Sequence, residues 1–196
     1  MPRTLAILML PVLAVGLGAA SPSTTAGGQG LTLMGHSLTE ACSEHAQRAG
    51  EGSMAPSFAV DTCTAALEEE AATPADRAAT RNNRGVVLLT LMGKAEEARL
   101  EFESAASLDP GLGESYANRG AALVAEGRWR EAVTEIDRAL TMTLREPWKA
   151  YFNRAIAREG LSDIPGAYAD FSKAGELRPG WALVETQLAR FAIRRR

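Results

Sequence analysis

The stretch NRGAALVAEGRWREAVTEIDRAL, residues 118–140, decides the fold because it recurs on both sides of itself. Upstream, Asn83, Arg84 and Gly85 open a segment of the same kind that runs to Asp109 and Pro110. Downstream, Asn153, Arg154 and Ala155 open a third that runs to Pro179. In the second half of each copy, Ala98, Phe102 and Ala105 are matched by Ala132, Ile136 and Ala139, and then by Ala167, Phe171 and Ala174. The i, i+4, i+7 spacing sets small, large and small apolar side chains on one helical face, where two helices can approach closely. The step is 34 residues and then 35, and the extra residue falls in the connection Thr143 to Pro147, where a change of length is tolerated. A repeat of this period predicts a solenoid of stacked helix pairs, an architecture that presents surfaces rather than performing chemistry.

At these positions the chain resembles the tetratricopeptide repeat (TPR) family. Counted from Gly113, the middle copy places Tyr116, Gly120, Gly127, Ala132, Ile136 and Ala139 on the family pattern; counted from Trp148, the third places Tyr151, Ala155, Ala167, Phe171, Ala174 and Pro179. Arg119 and Arg154 depart from it where a leucine is usual, as does Arg158 where a tyrosine is usual, and the first copy carries one more residue between Gly85 and Gly93. The resemblance implies an all-α, right-handed α-solenoid of antiparallel helix pairs with units at 79–112, 113–147 and 148–181. A degenerate unit is expected at 37–74, since Ala59, Val60, Cys63, Ala66 and Leu67 align with Ala132, Val133, Ile136, Ala139 and Leu140. Its helices would be Leu38 to Ala49 and 57–70, with Gly50 to Pro56 as the turn, and Thr73-Pro74 would separate it from a helix over Ala75 to Met92. Trp181, Val184, Leu188 and Phe191 recur at helical spacing, as in a capping helix at 181–193 that covers the last unit.

Residues 1–20 belong to another physical class. Arg3 precedes an uncharged apolar run from Leu5 to Leu17, followed by small Gly18, Ala19 and Ala20. The run is too short to span a ~30 Å bilayer core, so it reads as a cleavable signal peptide rather than an anchor. Ser21 in place of a cysteine argues against a lipoprotein. Residues 21–36, rich in Ser, Thr and Gly, read as a flexible tether to the domain 37–196. The expected location is the periplasm or the exterior, with no membrane span left after cleavage. Removal of residues 1–20 takes away Arg3 and no acid, moving the formal charge from −3 to −4, which disfavours nucleic acid as a partner. Arg194 to Arg196 read as a solvated basic end.

The two cysteines, Cys42 and Cys63, both fall in the degenerate unit, Cys63 at the core position filled by Phe102, Ile136 and Phe171 elsewhere. In an oxidising compartment they are expected to form a disulfide; the alternative is a pair of buried thiols. Catalytic material is sparse. His36 and His45 lack a neighbourhood suited to a base or metal ligand. Cys42 and His45 share a helical face, yet no orienting group or oxyanion donor accompanies them. Glu68, Glu69 and Glu70 point in three directions and read as a hydrated helix end rather than a metal site. No enzyme activity, cofactor or metal is therefore expected.

What remains is the face made by the first helices. The resemblance implies that it is concave and that Asn83, Asn118 and Asn153 point into it, beside Ala117, Ala121, Val124, Phe152 and Ile156. An asparagine amide both donates and accepts, so it can grip a peptide backbone without selecting side chains. The row resembles the asparagine ladder in the repeat domain of O-linked N-acetylglucosamine transferase, which binds extended peptide. Asn118 also matches one position of the carboxylate clamp of heat-shock co-chaperones, and Lys149 one of its basic groups, whereas the opposing positions hold Asn82 and Val86. The expected function is an exported interaction scaffold that binds a peptide segment or helix of an envelope protein. The alternative is a structural or self-associating protein that uses its ends, Trp148, Trp181 and Phe191 included, with the asparagines as staples between repeats. Arg84, Arg119 and Arg154 are expected to pack between units or to pair with acids such as Glu114 or Glu159.

Overall fold

The computed structural model describes residues 37–49, 55–71 and 73–193, and among these every regular element is a helix. The segments expected to be a signal peptide and a tether, residues 1–36, most of the turn expected at Gly50 to Pro56, and the basic end all lie outside the described residues. The helices fall into pairs. Leu38–Arg48 (α1) packs on Pro56–Ala65 (α2), Pro74–Met92 (α3) on Ala95–Leu108 (α4), Gly113–Ala125 (α5) on Trp129–Leu140 (α6), and Pro147–Gly160 (α7) on Ile164–Leu177 (α8). Each second helix then packs on the next first helix, and Ala182–Ile193 (α9) packs on α8. The first helices α1, α3, α5 and α7 also touch in succession, which makes the chain a solenoid.

Local chemistry sets the ends of these helices. Ser37 caps α1 in a reciprocal box, its Oγ accepting from the Glu40 N–H at 3.2 Å while the Ser37 N–H donates to the Glu40 carboxylate at 3.1 Å. Thr73 and Asp76 make the same box at the start of α3, with Pro74 at the first helical position. Gly93 and Gly127 end α3 and α5 in the left-handed region at φ 64° and 74°, which glycine adopts without strain. At the same register after α7 stands Ser162, at φ 64° without that freedom.

The core follows from the repeated triplet. Phe102, Ile136 and Phe171 are fully buried; Gly85 faces the first and Gly120 the second, and buried Ala155 stands at the same register in the third pair. A Cβ on Gly85 would lie 2.6 Å from the Phe102 ring, and one on Gly120 would run into Ile136. These two pairs therefore cross at a distance that leaves no room for a Cβ. At the far end Phe152, Phe171, Trp181 and Phe191 stack in a chain with centroids 5.1 to 5.9 Å apart, and buried Val184 completes the contact of α9 with the last pair.

The degenerate unit departs from a plain helix pair. After Ala65 the second helix widens into one π turn, Ala66–Glu70, whose end is tied down by Arg77, donating to the Leu67 carbonyl at 3.0 Å. Glu70 is not merely a hydrated acid at a helix end. Its carboxylate accepts the Thr39 N–H at 3.0 Å and the Thr39 hydroxyl at 3.3 Å, and so lies at the positive end of α1. Cys42 and Cys63, both fully buried, are joined in a disulfide between α1 and α2 with Cα atoms 4.8 Å apart. Closing that loop contributes ~3 kcal/mol in the chain-entropy description. Thiol titration of the purified protein unfolded without reductant is expected to find no reactive thiol. Replacing both cysteines by alanine is expected to lower stability by ~2–4 kcal/mol; two reactive thiols before reduction would contradict the bridge.

Candidate functional site: the face of the first helices

The row read from the sequence is carried by three successive first helices, with Asn83 on α3, Asn118 on α5 and Asn153 on α7. All three are buried, as is Asn82 beside the first. The Asn118 Nδ2 donates to the Asn82 Oδ1 at 2.9 Å, a bond from α5 back to α3. One amide donor of the row is thus spent between units. In a buried setting such a bond also fixes the register of the two helices, because losing one partner strands the other.

The apolar residues of this face divide. Ala117, Ala121 and Val124 on α5 and Ile156 on α7 are buried beside the asparagines. Phe152 lies inside the last unit, against Phe171 at 5.3 Å and Trp181 at 5.1 Å. Lys149, at the edge, holds its ammonium 2.7 Å from Glu146 within the first turn of α7. The structure brings Asn82, Asn118 and Ala121 together at the α3–α5 contact, and Phe152, Asn153 and Ile156 on α7.

The arginines that follow each asparagine find partners other than Glu114 and Glu159. Arg84 binds Glu101 on α4 at 2.7 Å, Arg119 binds Glu135 on α6, and Arg154 grips Asp170 on α8 through two nitrogens at 2.8 and 2.7 Å. The acid each time stands one residue before the large core residue, Phe102, Ile136 or Phe171, so the pairing recurs with the repeat. Burial alone would push the Arg154 guanidinium down, and the hydrogen bonds it donates to Asp170 and Asp137 more than offset that, holding it above its ordinary value. Glu114 instead accepts the Arg145 N–H at 3.1 Å, and Glu159 pairs with Arg190 of α9 at 2.7 Å. The sequence did carry a signal for these pairs, since Glu101, Glu135 and Asp170 share one register.

The residues considered for catalysis take structural places. Cys42 is held in the disulfide and offers no thiolate. His45 stands edge-on to Phe58 with ring centroids 5.7 Å apart, and both its ring nitrogens are buried without a hydrogen-bond partner. Among the described residues no group of His, Cys, Asp and Glu is placed to hold a metal ion, and no helix is long and apolar enough to cross a membrane.

With this geometry in hand, comparison with solved structures defines the fold. The chain is similar to the Arabidopsis OM64 TPR domain, with TM-score 0.56 and 23% identity, covering 60% of this chain and 95% of that one. It is similar to the second TPR domain of human RPAP3 in complex with the HSP70 peptide SGPTIEEVD, with TM-score 0.54 and 26% identity, covering 60% and 96%. A longer match, 81% of this chain and 85% of the other, is to the MamA RS-1 ArsTM double mutant, with TM-score 0.58 and 17% identity. The fold is TPR-like. No protein-family model and no curated protein matches the sequence.

Burial lowers the His45 pKa from 6.5, with Glu44 pulling it up and Arg48 pushing it down by smaller amounts. A histidine kept neutral in the fold contributes fully above its unfolded pKa, and that contribution is lost as pH falls below about 6.5, where the unfolded chain binds the proton more tightly. Thermal unfolding followed from pH 7.5 to pH 5 is expected to show a loss of stability that His45→Phe reduces. An identical pH profile for the variant would contradict the assignment.

Proposed function

We propose that the protein is an exported, non-enzymatic interaction scaffold that holds a peptide segment or a helix of an envelope protein on the face formed by α3, α5 and α7. The observation that carries this reading is the row Asn83, Asn118 and Asn153, set in register on three successive first helices beside Ala121 and Ile156. The row is buried, with the Asn118 amide donating to Asn82, so it sets the register of the first helices, and the face those helices form suits a backbone or a helix laid across it. The TPR-like fold supports it, since the similar RPAP3 domain was solved with a peptide bound. Export rests on Arg3, the apolar run Leu5 to Leu17 and the small residues Gly18 to Ala20. An excess of acid over base favours a protein partner over nucleic acid. Three intact units offer a short contact and therefore modest affinity.

A second reading draws on the Asn118–Asn82 bond. If the asparagines serve chiefly as staples, the protein is a structural or self-associating one that acts through the ends of its solenoid.

The two separate in a cross-linked pulldown from the cell envelope, comparing the native chain with Asn83→Ala, Asn118→Ala and Asn153→Ala combined and shown to fold. The scaffold reading expects a partner captured by the native chain and lost by the triple variant, and a single Asn118→Ala to weaken that capture by about 1 kcal/mol or more. Unchanged capture with a lowered thermal midpoint would assign the row to the staple role.

A further inference from the structure

The acid that receives the repeated arginine is not equally served in the three units. Glu101 of α4 holds two guanidinium groups, Arg84 at 2.7 Å and Arg81 at 3.3 Å. Asp170 of α8 likewise holds two, Arg154 at 2.7 Å and Arg158 at 2.9 Å. At the same register in the middle unit stands Glu135 of α6, and among the described residues its one cationic partner is Arg119. The second arginine is missing for a reason visible in the sequence: Leu123 occupies the register that Arg158 holds one unit later.

Arg119 is short of a partner as well. Its counterparts reach back to the second helix of the preceding unit, Arg84 to the Thr64 hydroxyl at 3.1 Å and Arg154 to the Asp137 carboxylate at 2.5 Å. The residue at that register for Arg119 is Glu103, whose carboxylate is instead 3.7 Å from Arg99. The Arg119 Nε is buried with no hydrogen-bond partner. In Arg154 the same nitrogen donates to Asp170, the acid at Glu135's register, and it is Nη1 that reaches Asp137.

Both shortfalls face one space. A cleft of about 370 Å³ opens between α4, α5 and α6, and Arg119, Glu135, Leu123, Glu103 and Glu131 are among its walls. Its size suits a small molecule, and its walls, three arginines and three glutamates with Leu123 and Thr134, suit one that carries both signs of charge. The neighbouring unit shows what would complete it. A cation is wanted on Glu135, where Arg158 sits on Asp170, and a carboxylate on Arg119, where Asp137 sits on Arg154.

We propose that this cleft binds a small zwitterion of the class of a free basic amino acid, its guanidinium or side-chain ammonium on Glu135 and its carboxylate on Arg119. The α-ammonium of such a ligand would then face Glu103, which Arg99 approaches only to 3.7 Å, whereas Glu131 is already held by Arg128 at 2.6 and 2.8 Å. The site lies on the side of the second helices and does not depend on what the asparagine row holds.

Calorimetric titration of the purified protein at low salt tests this, with L-arginine as the probe. Citrulline, whose ureido side chain is the uncharged isostere of the guanidinium, and agmatine, which lacks the carboxylate, are the controls. Saturable binding of L-arginine at one site is expected, with both controls weaker by about tenfold or more, since each forfeits a charge-assisted pair. Leu123→Arg, which supplies the missing guanidinium within the chain, is expected to abolish binding while keeping or raising the thermal midpoint. Glu135→Gln, shown folded by circular dichroism, is expected to bind about as weakly as citrulline binds the native protein. Absence of saturable L-arginine binding, equal binding of citrulline, or undiminished binding by both variants would overturn the proposal. A tripeptide ending in arginine that binds more tightly than the free amino acid would overturn the assignment to a small molecule.

Discussion

In the first two repeats the first helix crosses the second where one side has no side chain and the other a large apolar one, Gly85 over Phe102 and Gly120 over Ile136, and the third places Ala155 and Phe171 at the same register. The crossing leaves no room for a Cβ at Gly85 or Gly120, so it fixes how deep each pair packs and hence which residues of the first helix turn outward, inward or toward the next unit. Glycine inside a helix costs about 1 kcal/mol relative to alanine, and the fold accepts that cost twice to keep the distance. Everything placed on the first helices, the asparagine row and the arginines alike, inherits its position from this contact.

Between units the work is polar. Arg84 and Arg154 each join their own second helix to that of the preceding unit, and Asn118 joins α5 to α3. The Arg154–Asp170 pair is mostly removed from water, so it differs from an ordinary surface ion pair: breaking it would leave a charge stranded, although a matched apolar pair could serve stability as well. A polar joint of this kind specifies register between repeats, which uniform apolar faces would leave free to slip. At the two ends of the described residues other contacts appear, the Cys42–Cys63 bridge and the Glu70 cap in the first unit and, in the last, the aromatic chain that runs through Trp181 and Phe191.

The pairs, their register and the capping helix were legible because they rest on period and residue size, which the letters state directly. Glu70 was not legible, since its role comes from a partner 31 residues away that the fold alone brings close. The candidate face was legible as a row but not as a set of contacts. Asn118 and Asn82 both looked available for a ligand, and only the packing of α3 on α5 shows that they bond to each other. Phe152 fits a groove pattern equally well on paper, and its neighbours Phe171 and Trp181 place it in the core. The middle cleft was hidden for a different reason: Leu123 is unremarkable by itself and acquires meaning only beside Arg158, once Glu135 and Asp170 are seen to do the same job.

The most direct test of the account is a double-mutant cycle at the middle crossing, with Gly120→Ala and Ile136→Ala made singly and together and stability read by denaturant unfolding. If the crossing distance governs the pair, alanine at 120 is unfavourable beside isoleucine and becomes favourable once Ile136 is trimmed, giving a coupling of about 1 kcal/mol or more. Additive effects, with Gly120→Ala stabilising in both backgrounds, would show that helix propensity alone decides at this position and would contradict the close approach on which the structure is built.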